Sequence, residues 1–254
     1  MTHFTIGVGN SSLSIAIWEE SQCHHVWSLG TDLKKTTDEY QFTFQHILGN
    51  LNKSFDSSVI CSVVPGITKK VVKALQQSLD LDPLVVSKDL NHGLKEPISK
   101  EIGADILANA VAAHAGYVGP SIVFDFGTAL SIVAVSNEGE ILGANIFPGI
   151  TTACNSLVEK TALLHSVDLL FNPKKVLGKT TEEALQIGVL NGYLGVLEHN
   201  ILAIEKQFGE SFHCIGTGGD SRYIPKNSKL LRVIDPLHTQ RGLRILAELN
   251  HPQK

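Results

Sequence analysis

The same pattern occurs twice in the sequence, about 118 residues apart: an apolar strand, a short turn containing glycine, and a second apolar strand. The first copy runs from Phe4 to Trp18, with Gly7-Val8-Gly9-Asn10-Ser11-Ser12 leading through the turn and Leu13, Ile15 and Ile17 alternating beyond it. The second runs from Ser121 to Val135, with Asp125-Phe126-Gly127-Thr128 at its turn and a third strand after Asn137-Glu138-Gly139. Alternation puts one face of each segment in a core, and glycine with small polar residues closes the turns, so both segments read as β-hairpins. Two copies are too few for a solenoid, which stacks at least three units. They suit a duplicated domain with a cleft between its halves. The boundary is expected near Gly116 to Pro120, which gives domains 1–117 and 118–254.

Between the hairpins, helix and strand signals alternate. Ser58 to Val64 reads as a buried strand that stops at Pro65-Gly66, after which Thr68 can cap a helix through Leu79. Ile102, Ile106, Leu107, Ala110, Val111 and His114 recur at helical spacing and predict an amphipathic helix from Glu101 to Ala115 with Asp105 in its early turns. Thr180 or Thr181, followed by Glu182 and Glu183, starts a long helix that reaches Phe208. That helix carries Gly188, Gly192 and Gly195. A helical glycine costs about 1 kcal/mol against alanine, so three of them point to close packing of another helix or a ligand. Phe212 to Ile215 is a short strand entering Gly216-Thr217-Gly218-Gly219, and Thr239 to Leu249 closes the chain as a helix. The pattern predicts a mixed α/β fold.

Composition excludes several functions. The net charge is −4 and no run of five basic residues occurs, so there is no electrostatic footprint for nucleic acid or a membrane surface. No window reaches the ~18 apolar residues of a membrane span and Met1 to Asn10 has no signal pattern, so a cytoplasmic protein is expected. Cys23, Cys61, Cys154 and Cys214 form no C-x-x-C and read as reduced core residues. The histidines, including His24-His25, His92, His165 and His213, lack zinc-site spacing and read as surface or packing residues. No G-x-S-x-G, P-loop or G-x-G-x-x-G between strand and helix is present. What remains is three glycine-rich turns after strands, at Gly7 to Ser11, Asp125 to Thr128 and Gly216 to Gly219. Glycine lets backbone N–H groups approach a polyanion, so three such turns facing one cleft would form a phosphate cradle.

Taken in order, Gly9-Asn10-Ser11, Ser62-Val63-Val64-Pro65, Gly103-Ala104-Asp105, Asp125-Phe126-Gly127-Thr128-Ala129, Pro148-Gly149, Thr161-Ala162, Gly178-Lys179-Thr180-Thr181, Thr217-Gly218-Gly219 and Gly242-Leu243 resemble the type III pantothenate kinases. These belong to the acetate-kinase, sugar-kinase, Hsp70 and actin superfamily, and the resemblance covers nearly the whole chain. It implies two duplicated ribonuclease-H-like domains with a nucleotide cleft, a homodimer, and ATP-dependent phosphorylation of pantothenate at its primary hydroxyl, the first step toward coenzyme A. It further implies Asp105 as general base, and Gly7, Val8, Gly9, Asn10, Ser11, Ser12 and Thr128 around the ATP phosphates. Thr217 to Gly219 would lie by the adenosine. Gly103, Ala104, Ile106 and Thr181 would lie at the substrate, Mg²⁺ with the nucleotide, and Asp125 would hold a potassium or ammonium ion.

Three positions depart from the family pattern. Gly7 stands where the family usually opens with aspartate, removing a carboxylate that helps place Mg²⁺. Ile106 stands where an arginine usually meets the substrate carboxylate, and an isoleucine cannot supply that forked contact. Val133 replaces an aspartate common in relatives. The alternatives are therefore a divergent active kinase that supplies the missing charge from Lys100 or across a dimer, a catalytically impaired nucleotide-binding or regulatory relative, and a kinase or phosphatase for another small hydroxyl substrate.

Overall fold

A computed structural model describes every residue except 50, 52–53, 162–163, 170–174, 226–227 and 252–254. The chain divides into two compact units, Met1–Ala112 with His238–Lys254, and Ala113–Leu237. A single cut at 117 lies close to the first crossing point, but the last helix returns to the first unit.

The first unit contains β1 (Thr2–Val8), β2 (Ser12–Glu19), β3 (Gln22–Gly30), α1 (Thr37–Gly49), β4 (Ser57–Ser62), α2 (Pro65–Leu79), β5 (Leu84–Val85) and the start of α3 (Ala104–Gly116). The second contains β6 (Ser121–Phe126), β7 (Ala129–Val135), β8 (Ile141–Pro148), α4 (Ile150–Lys160), α5 (Thr181–Phe208), β9 (His213–Thr217), a 3-10 turn (Gly219–Tyr223) and β10 (Val233–Ile234). Helix α6 (His238–Asn250) completes the first unit. The sheet orders, β3-β2-β1-β4-β5 and β8-β7-β6-β9-β10, are the same topology: an antiparallel meander of three strands followed by two parallel ones. The duplication expected from the hairpins is present in the whole of each sheet.

Alternation explains both cores. Phe4, Ile6 and Val8 of β1 point with Leu13, Ile15 and Ile17 of β2 into a cluster closed by Tyr40, Phe44, Ile67, Val71 and Leu75 of α1 and α2. In the second unit Ile122, Phe124 and Phe126 do the same with Leu130, Ile132 and buried residues of α5 such as Leu190 and Leu197. At about 25 cal/mol per Å² of buried apolar area, these clusters are the main source of each unit's stability.

Helix ends follow local chemistry. Thr180 caps α5 by accepting from the Glu183 N–H, and Gly209 ends it in the left-handed conformation at φ 73°. Helix α2 begins at Pro65, earlier than a Thr68 cap would allow, because proline presets φ at the first helical position. Thr68 instead donates to Ser62 Oγ at 2.7 Å. Helix α3 begins at Ala104 rather than Glu101, its first bond running from the Leu107 N–H to Gly103 O at 3.0 Å. The apolar face of α6, Leu243, Leu246 and Ala247, is buried in the first unit, which draws this helix away from the half of the sequence that precedes it.

Other expectations are revised. Cys61, Cys154 and Cys214 are buried thiols outside any disulfide, whereas Cys23 lies half-exposed on edge strand β3. Burial pushes the Cys214 thiol up to about 12. Gly188, Gly192 and Gly195 meet nothing within 4 Å at their Cβ positions, so no described neighbour requires them to be small. Helix α5 is also long and apolar enough to meet a membrane-span criterion, although Leu185, Ile187, Leu190, Tyr193, Leu197 and Ile201 are buried within its unit.

Candidate active site

In the first unit the β1–β2 hairpin presents the residues singled out in the sequence. Val8 is buried, and Asn10, Ser11 and Ser12 are exposed at the tip. The tip is closed by the Gly9 N–H donating to Ser12 O at 2.9 Å and is tied to the following segment by the Thr31 hydroxyl, which donates to Gly9 O at 2.7 Å. The result is a fixed turn with hydroxyl and amide side chains in solvent, the donor set that phosphate oxygens use.

Asp105 lies half-buried in the first turn of α3, where its Oδ1 accepts from the Ile106 N–H at 2.9 Å. A carboxylate at this end complements the helix dipole. Gly103 makes room for it, since a Cβ there would lie 2.6 Å from Asp105 Oδ1. Ala104 is half-buried beside it, and Ile106 is buried and brings no charged group to this turn. Helix α6 ties into α3 four residues on: the Thr239 hydroxyl donates to Asn109 Oδ1 at 2.7 Å.

In the second unit the β6–β7 turn is surrounded by close backbone. Gly149, at the start of α4, donates its N–H to Thr128 O at 2.9 Å, and a Cβ on Gly149 would lie 2.0 Å from Gly127 O. Gly218, after β9, has φ +85°, and its Cβ position lies 2.5 Å from Asp125 Oδ1 and 2.6 Å from Phe126 O. Two oxygens thus lie against the bare face of this glycine, where any side chain would collide. Thr128 is exposed at the tip and Asp125 is half-buried. The sequence reading missed Asp220, which accepts from the Thr151 N–H at 2.9 Å and so caps α4 beside this turn. It also missed Tyr193, whose hydroxyl donates to Pro148 O and Gly149 O at 2.5 and 3.1 Å. Burial, and after it the charge of Asp220, hold the Tyr193 phenol above its ordinary value, so it remains a donor. Thr181 opens α5, exposed, while capping falls to Thr180. Thr161 ends α4; its motif partner, Ala162, lies outside the described residues.

A family model described as type III pantothenate kinase matches residues 3–203, and the type III pantothenate kinase of Dehalococcoides mccartyi (strain CBDB1) is 33% identical over 96% of this chain and 95% of that one. The chain belongs to the type III pantothenate kinase family. Its fold also matches a provisionally described Baf family transcriptional activator from Campylobacter jejuni, at TM-score 0.60, 17% identity and coverage of 96% of this chain and 97% of that one. A provisionally named 2-dehydro-3-deoxygalactonokinase from Sinorhizobium meliloti matches at TM-score 0.58, 12% identity and coverage of 99% and 100%. The architecture is that of the actin-like ATPases and sugar kinases.

Proposed function

We propose that this chain transfers the γ-phosphoryl group of ATP to the primary hydroxyl of pantothenate, yielding 4'-phosphopantothenate and ADP. The family match across 3–203, which includes both hairpins and the Asp105 turn, carries this reading. Asp105 accepts the hydroxyl proton as the substrate oxygen bonds to phosphorus and the bond to the ADP oxygen breaks. The contribution of such a positioned base is typically 10²–10⁴-fold, roughly. Gly7, Val8, Gly9, Asn10, Ser11, Ser12 and Thr128 surround the phosphates, where donors aimed at developing charge assist a loose transition state. Gly103, Ala104, Ile106 and Thr181 border pantothenate. Asp125 holds potassium or ammonium. Mg²⁺ accompanies ATP and neutralises its phosphates; with Gly7 in place of a carboxylate, this chain supplies fewer groups to orient it.

The same reading includes a cytoplasmic homodimer. A cavity of about 470 Å³ lined by Gly188, Gly192, Leu157 and Tyr193 lies open along α5, and Ile146, Leu157 and Leu202 are exposed. We assign this face to a second copy of the chain. A second functional reading, a nucleotide-binding relative without turnover, is favoured by the residue at Gly7. ADP release from ATP, Mg²⁺ and pantothenate, with potassium against sodium and Asp105→Asn alongside, separates them. Potassium-stimulated turnover lost in Asp105→Asn supports the kinase; ATP binding without turnover supports the second reading.

A further inference from the structure

The two hairpins share a register, so their positions can be compared one by one. Thr5 pairs with Ala16 and Gly7 with Ser14; at the same places Val123 pairs with Val133 and Asp125 with Ser131. On this face Thr5 stands where the second hairpin has Val123, and Ser14 corresponds to Ser131. Gln240 of α6, 4% exposed, occupies that face. Its Oε1 accepts from the Thr5 hydroxyl at 2.6 Å, and its Nε2 donates to Ser14 Oγ at 2.8 Å and Ser14 O at 3.2 Å. Thr5 Oγ1 in turn accepts from the Trp18 indole N–H at 3.1 Å. The carboxamide uses both hydrogens and its oxygen, so one rotamer is specified.

Gln240 grips the hairpin one pair short of its last, beside the turn. A Cβ on Gly7 would lie 2.8 Å from Ser14 Oγ and 3.5 Å from Gln240 Nε2, so glycine here leaves the bond between them intact. The grip is only as firm as α6, and α6 is fixed: a Cβ on Gly242 would stand 2.0 Å from Ala108 O of α3, and Thr239 bonds Asn109. The helix thus braces the turn and the helix that carries Asp105 in its first turn.

We propose that Gln240 is a positioning residue for nucleotide binding, holding the Gly9-Asn10-Ser11 turn in register from the other end of the chain. The proposal rests on the assignment of that turn to the ATP phosphates. Its action is through the Thr5 hydroxyl of β1 and through Ser14 of β2, while both amide hydrogens of Gln240 are spent on Ser14.

The test compares Gln240→Leu, which fills the volume without the amide, Ser14→Ala, which removes one of the bonds, and Asn250→Ala. The last loses a 2.7 Å bond to Asn91 O at the far end of α6 and serves as a stability control. KM values for ATP and pantothenate and calorimetric MgATP affinity are measured at a temperature where circular dichroism finds each variant folded. Gln240→Leu is expected to raise the KM and Kd for ATP by about 10-fold and Ser14→Ala by about 3-fold, with the pantothenate KM within about 2-fold. Asn250→Ala should lower the melting temperature while leaving ATP affinity unchanged. An ATP affinity unmoved in folded Gln240→Leu, or moved equally in Asn250→Ala, overturns the proposal. If Gln240→Leu does not fold, the selective effect must appear in Ser14→Ala, and its absence overturns it as well. A wild type that binds MgATP without turnover removes the kinase reading but leaves the affinity comparison decisive; a wild type that binds no nucleotide removes both.

Discussion

At the next-to-last pair of the first hairpin Gly7 faces Ser14, and at the equivalent pair of the second Asp125 faces Ser131. The neighbours are exchanged in the opposite sense. Gln240 approaches the bare glycine, whereas bare Gly218 approaches the aspartate. Each unit thus combines one large polar group with one glycine, but on opposite partners. In the second unit the carboxylate belongs to the strand, with the bare face of Gly218 against it. In the first, the polar group comes from a helix and spends its hydrogen bonds inside the protein. Duplicated topology therefore does not imply duplicated chemistry: the second hairpin carries a carboxyl group where the first is held by a brace.

Substitution at the glycines should break this symmetry most strongly. Gly218→Ala forces an L side chain into φ +85° and against Phe126 O, a backbone atom that cannot step aside, so a loss of about 3 kcal/mol or more is expected in urea melts. Next in size is the charge itself. Asp125→Asn should keep the fold and reduce potassium stimulation of ADP release by about 10-fold, equivalent to about 1.4 kcal/mol. Gly7→Ala should be milder, about 1 kcal/mol by urea melt, because the atom it meets is the Ser14 hydroxyl, which can rotate. A loss as large as that of Gly218→Ala would show that the first hairpin is as tightly built as the second.

The smallest effect concerns the base of the first hairpin, where His3 stands at the place of Ser121. His3 is fully buried, with its Nδ1 2.8 Å from Ser57 Oγ, and burial holds its pKa below the ordinary 6.5 despite Glu248 nearby. The unfolded chain therefore binds more protons than the folded one below pH 6.5, and stability falls as pH drops from there through the folded pKa. His3→Gln should flatten that part of the stability profile. An unchanged slope in melts between pH 6.5 and 4.5 would assign it to other groups.

Much of this was legible in the sequence because it is local. Strand alternation, turn glycines, the Thr180 cap and the Glu182-Glu183 start depend on neighbours in the chain, and they define both hairpins and α5 to within a residue or two. Asp105 in the first turn of α3 was legible for the same reason. The brace was not. Gln240 lies 235 residues from Thr5, and nothing in its own surroundings in sequence distinguishes it from a solvent-facing residue of an amphipathic helix. The same holds for Gly149 and Asp220, whose parts in shaping the second turn arise only when α4 and the 3-10 turn fold beside it. The glycines of α5 mark the reverse case, where a sequence signal for close packing meets open space within the described chain.

The central claim, that the retained hairpins and Asp105 support phosphoryl transfer to pantothenate despite Gly7, is most directly tested by mass spectrometry of the reaction product. Wild-type protein incubated with ATP, Mg²⁺, potassium and pantothenate is expected to form 4'-phosphopantothenate, and Asp105→Asn to form none. Folded, ATP-binding wild-type protein that yields no phosphorylated pantothenate would contradict it.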